Sequence, residues 1–118
     1  MTLVDSSVWV DHFRRSNATL VALLEQGQAA THSMIIGELA CGGLPKRAVT
    51  LRLLAALPRV AQAPDSAVHH AIEARGWWSK GIGWVDAHLL TSVLLARAPI
   101  LTLDSRLAGL AATLGLGA

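Results

Sequence analysis

Short apolar runs alternate with longer helix-like segments along this chain, and the alternation limits the possible folds more than any other feature. It predicts buried strands at residues 2–4 and 99–103 and weaker ones at residues 28–31 and 59–61. Because strands separated by helices pair in parallel, the sequence predicts an α/β fold. We expect a three-layer sandwich in which helices flank a short parallel sheet of four or five strands.

Small polar residues and glycines mark where the helices begin and end. The candidate N-terminal caps are Ser6 and Ser7, Asn17, Ser33 and Asp65. The corresponding helices are expected at residues 6–13, 17–27, 33–42 and 65–78. Three further helices are expected at residues 46–57, 85–97 and 105–115, while a last strand at residues 114–118 has little support.

The composition restricts the class of protein. A chain of 118 residues can bury its own core, so residues 1–118 are expected to form a single domain. The one cysteine, Cys41, excludes an internal disulfide and a cysteine-based zinc site. No segment has the length and apolar character of a membrane span, which favours a cytoplasmic protein. The 53% hydrophobic content fits either a buried partner surface or an Ala- and Leu-rich core.

Four of the eight acidic residues lie in or beside apolar segments. Asp5 and Asp104 directly follow predicted strands. Glu38 lies inside the helix after the second strand, and Asp86 begins a later helix. Because ligands of open parallel sheets bind beyond the carboxyl ends of the strands, all four carboxylates can reach one edge. A carboxylate buried among apolar residues is costly without a partner, and a divalent metal would serve all four.

The donor atoms expected at this edge are carboxylate oxygens without cysteine or histidine. Such oxygens suit a hard cation, Mg²⁺ or Mn²⁺. A bound ion of this kind lowers the pKa of water and braces a phosphate oxygen, which indicates hydrolysis of a phosphodiester bond. Taken singly, each acid could instead cap a helix or face the positive end of a helix dipole.

Four short motifs in a fixed order resemble those of the PIN-domain family. They are Leu3-Val4-Asp5-Ser6-Ser7-Val8-Trp9, Ile36-Gly37-Glu38-Leu39, Gly83-Trp84-Val85-Asp86-Ala87-His88-Leu89-Leu90 and Leu101-Thr102-Leu103-Asp104. Chain length and motif order are similar to those of the VapC-type toxins of bacterial toxin–antitoxin pairs. The resemblance extends from Met1 to about Leu107 and implies a PIN-like domain.

The resemblance also implies an activity and a set of site residues. The activity is that of a Mg²⁺- or Mn²⁺-dependent endoribonuclease. Its catalytic, metal-binding acids would be Asp5, Glu38, Asp86 and Asp104. Ser6 would support the site, and Thr102 would orient Asp104 or a water on the metal. Ser105 and Arg106 occupy the place where some relatives carry another acid, which leaves one ion or two open.

Partners follow from the same resemblance. Members of the family usually form homodimers, act on RNA such as tRNA, rRNA or mRNA, and are silenced by a cognate antitoxin that covers the active site. The formal net charge of +2 permits a nucleic acid partner without demonstrating one. The candidate phosphate contacts, which are otherwise solvated surface, are Arg14, Arg15, Lys80 and Arg106.

Two other functions remain open at this point. A receiver-like phosphoacceptor domain would also have an acidic Mg²⁺ pocket, but it needs adjacent acids after the first strand and a lysine after the last. Here Ser6 follows Asp5, and no lysine lies beyond Lys80. A non-catalytic PIN-like module that binds RNA or protein is the second alternative. His88 lies two positions from Asp86, faces away from it on a helix and is interpreted as structural.

Overall fold

Three short parallel strands form the centre of the fold. The computed structural model describes residues 1–118 and contains β1 (Thr2–Val4), β2 (Ala29–Ala30) and β3 (Ile100–Leu101). The strand order is β2-β1-β3, with Leu3 of β1 opposite Ala30 on one side and Ile100 on the other. Crossovers through helices join the strands, as a parallel sheet requires.

The expectation of four or five strands is wrong, because the sheet has three. The two missing strands are reduced to single bridges at the sheet edges, Thr31 with Arg59 and Ile100 with Gly117. On one edge, β2 cannot extend the pairing because its chain enters a helix at Ser33. On the other edge, the pairing consists of two backbone hydrogen bonds, from the Ile100 N–H to the Leu116 carbonyl at 2.8 Å and from the Ala118 N–H to the Ile100 carbonyl at 3.1 Å.

Seven helices surround the sheet, which confirms the expected number. They are α1 (Ser6–Arg15), α2 (Ala18–Glu25), α3 (Ser33–Ala40), α4 (Arg47–Ala56), α5 (Asp65–Arg75), α6 (Trp84–Ala96) and α7 (Ser105–Thr113). None of them combines the length and the apolar character that a membrane crossing needs.

Several helix boundaries differ from the expected ones, and the residue before α5 is Pro64 instead of Asp65. Asp5, not Ser6, is the residue before α1, and the residue before α3 is His32, whose Nδ1 accepts from the Met34 N–H at 3.1 Å. α5 ends at Arg75 because Gly76 adopts a left-handed conformation that stops the helix. The expected extension of α5 through residues 77–78 is therefore wrong.

The core covers both faces of the sheet. Leu3 and Val4 are both fully buried, although successive strand residues point to opposite faces. They belong to one cluster of 22 buried hydrophobic residues. α6 is buried over the whole stretch of residues 87–93, so Asp86 stands at the outer end of a helix that is otherwise fixed in the core.

Candidate active site

Asp5 is the centre of the acidic site. It follows β1 directly, and only 6% of its surface is exposed. The hydroxyls of Ser7 and Thr102 each donate to its Oδ2 at 2.8 Å, and Ser6 approaches Oδ1 at 3.5 Å. The carboxylate makes no capping bond to α1, because these hydroxyls hold it instead. A buried carboxylate accepting several hydrogen bonds is fixed in orientation.

Ser6 joins Asp5 to Glu38. Its Oγ donates to Glu38 Oε1 at 3.4 Å, across 32 positions of sequence. This contact exists because α1 and α3 pack together and α3 follows the neighbouring strand. The first two acidic motifs therefore meet at the sheet edge.

Thr102 joins Asp5 to the fourth acidic motif. Its Oγ1, which donates to Asp5, also accepts the backbone N–H of Asp104 at 3.0 Å. Asp104 in turn caps α7, since its Oδ1 accepts the N–H groups of Arg106 and Leu107 at 2.9 and 3.2 Å. One oxygen of Asp104 is thus occupied by the helix end.

The charges of the four acids repel one another. Burial and then the negative charge of Asp5 raise the pKa of Glu38 above its ordinary value. Burial, again followed by the charge of Asp5, raises the pKa of Asp86, and Asp104 adds to the effect. The two ion pairs of the structure, Arg15–Asp11 and His88–Asp65, involve none of these four acids. No basic side chain forms an ion pair with any of these four carboxylates.

The donor set fits a hard divalent cation. It consists of carboxylate and hydroxyl oxygens that carry excess negative charge, which Mg²⁺ and Mn²⁺ prefer. The side chains are not arranged as a closed cage, because no three His, Cys, Asp or Glu residues stand in a ligating arrangement. Mg²⁺ sites in proteins need no such cage, since the ion usually keeps several waters and uses only one or two carboxylates.

Burial of the four acids differs from the expectation. Only Asp5 is buried, Asp86 is half-buried, and Glu38 and Asp104 are exposed. Around Glu38, the apolar neighbours Ile35 and Leu39 enter the core while the carboxylate points outward from the same helix. Flanking apolar residues therefore indicated the position of the helix and not the burial of the acid.

The four candidate RNA-binding residues fall into two groups, Arg14 with Arg15 on α1 and Lys80 with Arg106 next to Gly81. All four are exposed. Arg15 is engaged with Asp11, with Nε to Oδ1 at 2.6 Å, whereas Arg14 lines a cavity that also reaches Ser6 and Glu38. Arg106 lies over the loop beside Lys80, so close to Gly81 that a Cβ there would come within 2.5 Å of Arg106 Cδ.

Ser7 is the site residue that sequence reasoning missed. It appeared only as a candidate cap, but its hydroxyl contacts Asp5 and accepts the Leu103 N–H at 3.0 Å. It thereby fixes both β1 and the segment after β3. The signal was the second hydroxyl in Asp5-Ser6-Ser7, since a residue next to an acid on a helix start can turn back toward it.

Two buried histidines, which we call the buried histidine network, pair with side chains of other segments: His32 with Ser92, and His88 with the exposed Asp65. His32 Nδ1 caps α3, so its Nε2 carries the proton and donates to Ser92 Oγ at 3.0 Å. Ser92 Oγ also accepts the Ala63 N–H at 3.0 Å. His88, interpreted as structural, is fully buried with Nε2 at 3.0 Å from Asp65 Oδ1 and no hydrogen-bond partner for its Nδ1.

Comparison with known proteins gives two findings. The family model described as "PIN domain" matches residues 2–112. The chain is also similar to the protein named "Ribonuclease VapC32" from two strains of Mycobacterium tuberculosis. Each comparison gives 41% identity over 117 residues, which covers 98% of this chain and 94% of the relative.

Proposed function

This chain belongs to the PIN domain family, and from that membership and its acidic site we propose that it is a VapC-type endoribonuclease toxin. It hydrolyses RNA phosphodiester bonds with Mg²⁺ or Mn²⁺ as the cofactor. The observation that supports the proposal is that the charge of Asp5 acts on both Glu38 and Asp86, that of Asp104 acts on Asp86, and none of the four acids forms an ion pair. Such a cluster is costly unless a cation joins it.

Each residue of the site has its own role in the proposed reaction. When bound, the divalent ion supplies positive charge that activates a water and stabilises the charge developing on the phosphate. Asp5 is the fixed ligand, because Ser7 and Thr102 hold its Oδ2 in one orientation. Glu38 and Asp86 approach from the two adjacent helices, α3 and α6, and Ser6 keeps Glu38 aligned with Asp5.

Asp104 acts with a single oxygen. Its Oδ1 is bound by the N-terminus of α7, which leaves Oδ2 for a cation or for a water on it. Thr102 positions both Asp5 and the Asp104 backbone, so we assign it a positioning role. Because Arg106 stands where another acid would complete a second ion site, one ion is the simpler assignment.

A partner protein is part of the proposal. An apolar groove of about 480 Å³ lies between α1, α2 and α4, and seven of its nine lining residues are hydrophobic. Leu53, on its rim, is 65% exposed, and Leu24 is 36% exposed. Apolar surface of this kind marks a protein contact. We assign it to the cognate antitoxin, with a homodimer as the assembly that carries the toxin.

The experiment that tests the activity uses the purified chain and total tRNA and rRNA. Cleavage is expected with Mg²⁺ or Mn²⁺, is lost in EDTA, and returns when the ion is added in excess. Cleavage that persists in EDTA would refute the metal site. Binding of RNA without cleavage under every ion condition would favour the alternative of a non-catalytic module.

A separate experiment tests the toxin assignment. Expression of the chain in a bacterial host is expected to arrest growth, and co-expression of a small protein encoded beside it is expected to restore growth. The matched control is Asp5→Asn, which should not arrest growth. Arrest by that variant would mean that toxicity does not come from the acidic site.

A further inference from the structure

The loop between α5 and α6 leads directly to one of the four acids. It covers residues 76–83, and Asp86 is the third residue of the helix that follows. A backbone hydrogen bond from Gly83, the last residue of the loop, reaches the Asp86 carboxylate and opposes the rise in its pKa. The direction of that carboxylate therefore depends on where the end of the loop stands.

The backbone of this loop is poorly fixed by its own bonds. Gly76, Ser79 and Gly81 all have positive φ angles, of 65°, 55° and 80°. No backbone hydrogen bond of good geometry involves residues 78–82. Because ordering such a segment costs conformational entropy, packing against other parts of the chain must offset the cost. The loop therefore needs contacts from outside itself to keep one conformation.

Two hydrophobic side chains and one arginine provide these contacts. Trp77 is buried and Ile82 is half-buried against the core, so both ends of the loop are anchored. Between them, the side chain of Arg106 lies across Gly81. A Cβ on Gly81 would come within 2.5 Å of Arg106 Cδ and 2.8 Å of its Nε. The aliphatic stem of the arginine therefore occupies the space over the Gly81 backbone.

Arg106 belongs to the segment of the fourth acid. It is the second residue of α7, and its N–H donates to Asp104 Oδ1 at 2.9 Å. One residue thus contacts Asp104 through its backbone and the loop before Asp86 through its side chain. The guanidinium is exposed and forms no ion pair. The charges that act on the pKa of Asp86 are those of Asp5 and Asp104, so the stem of Arg106, not its charge, connects the two segments.

We propose that Arg106 is a positioning residue, whose stem fixes the loop at Gly81 and thereby orients Asp86 toward the acidic site. The inference rests on the proposed function and gives Arg106 a role other than the phosphate contact expected from the sequence. A phosphate contact depends on the positive charge. The positioning role depends on the aliphatic stem, so the two roles can be separated.

Two substitutions of Arg106 separate the stem from the charge. Arg106→Ala removes both, whereas Arg106→Met removes the charge but keeps an unbranched stem whose Sδ and Cε replace the arginine Cδ and Nε. Arg52→Ala, at an exposed position of α4, is the control for loss of a positive charge. Gly81→Ala displaces the stem and leaves the charge. Its control is Gly76→Ala, because Gly76 also has a positive φ but a Cβ there meets only Trp78, at 3.7 Å.

The first measurement is digestion of the purified chain in EDTA with a lysine-specific protease, which has two sites, Lys46 and Lys80. Lys80 lies in the loop and Lys46 lies before α4, so the ratio of the two cutting rates reports how often the loop opens. Arg106→Ala should raise cutting at Lys80 relative to Lys46 by about fivefold. Arg106→Met and Arg52→Ala should stay within about twofold of the unmodified chain.

The second measurement is Mn²⁺ binding by calorimetry, which needs no RNA. Loss of a nearby positive charge alone would tighten Mn²⁺ binding slightly, in Arg106→Ala and Arg106→Met alike. The positioning role predicts the opposite sign for Arg106→Ala and Gly81→Ala, which should weaken binding about tenfold, the scale of losing a group that orients a metal ligand. Arg106→Met and Gly76→Ala should stay within about twofold. The kcat of RNA cleavage should fall in the same two variants, with KM within about twofold.

The outcomes separate this inference from the proposed function. Equal behaviour of Arg106→Ala and Arg106→Met in both measurements would mean that the stem does not matter and would overturn the positioning role. Faster cutting at Lys80 without weaker Mn²⁺ binding would make Arg106 a purely structural residue and would overturn it too. If both measurements give the expected results but no form of the protein cleaves RNA, the positioning role stands and the nuclease assignment fails.

Discussion

The same two helices, α3 and α6, carry two kinds of polar group. The buried histidine network on their inner side is largely paired within the chain, through His32, Ser92 and His88. On the outer side, Glu38 and Asp86 carry carboxylates whose pKa values are raised by burial and by the charge of Asp5. In the first group only Nδ1 of His88 lacks a partner, whereas neither carboxylate of the second group has a basic partner.

This contrast separates structure from function. Polar groups in a core are retained when their hydrogen bonds are made, and they then fix the position of the helices. Charges that repel one another at a rim destabilise the free protein and persist when a ligand relieves them. The hydrogen bond between His32 and Ser92 ties the start of α3, which carries Glu38, to α6, which carries Asp86. Four predictions, in order of decreasing effect, test the division.

The largest effect is expected from Asp5→Asn. The variant should lose cleavage by on the order of 10²–10³, the scale of losing one preorganised charge at a reacting phosphate. Its thermal unfolding should change little, because the asparagine Oδ1 still accepts from Ser7 or Thr102. Both are measured on purified protein. Asp11→Asn is the matched control, since Asp11 lies on the same helix and pairs only with Arg15 and Asn17.

His32→Ala, in contrast, should mainly lower the stability of the protein. It removes the cap of α3 and the partner of Ser92 and leaves a cavity, so we expect a loss of about 2–4 kcal/mol in the free energy of unfolding. Urea denaturation measures it. His70→Ala, an exposed histidine of α5, should stay within about 0.5 kcal/mol. Equal stability of the two variants would mean that the buried histidine network does not hold the fold.

The pH dependence of stability gives a smaller effect. Burial, and then the charge of His88, lower the pKa of His32 below 6.5. The unfolded chain therefore binds the proton more readily, and stability is lost as the pH falls below 6.5 toward the lowered pKa. Compared with His32→Asn, which caps without titrating, the unmodified chain should lose up to about 1 kcal/mol per pH unit in this window. If the difference in the free energy of unfolding between the unmodified chain and His32→Asn stays constant from pH 7.5 to 5, the prediction is wrong.

The smallest effect concerns Glu38→Gln in EDTA. The pKa of Glu38 is raised above 4.5, so the folded protein binds this proton more tightly than the unfolded chain does. The resulting contribution to the free energy of unfolding is fully present below pH 4.5 and is lost as the pH rises through the raised pKa. Near neutral pH the variant should therefore be more stable by a few tenths of a kcal/mol, since Glu38 is solvent-screened. The difference should vanish at pH 4. Added Mg²⁺ should stabilise the unmodified chain more than the variant.

Local sequence patterns sufficed for much of the fold. The seven helices were predictable because small polar residues, glycine or proline stand near most of their ends. The sequence did not show whether the segments at Arg59 and Gly117 would form strands or single bridges. Their pairing depends on how far the partner segments, at Thr31 and Ile100, remain extended. For the bridge to Arg59, that extent is limited by the start of α3 at Ser33.

The site shows the same division. The order of the four acids is visible in the sequence, but their exposure is not, since Glu38 is exposed while Ile35, three positions earlier on the same helix, is fully buried. Ser7 was recognised only as a candidate cap because a hydrogen-bond partner distant in sequence, such as Leu103, is chosen by geometry. The histidines gave no ligand spacing, and their pairing across 60 positions, His32 with Ser92, has no local signal.

By itself the sequence determined the alternation of strands and helices and the placement of an acid after β1, in α3, at the start of α6 and after β3. These are local properties, because propensity, capping and periodicity act over a few residues. Only the tertiary structure decided that Ser6, Ser7 and Thr102 gather around one carboxylate, and that a cavity opens beside it. Contacts between segments far apart in the chain arise from packing, which no single segment encodes.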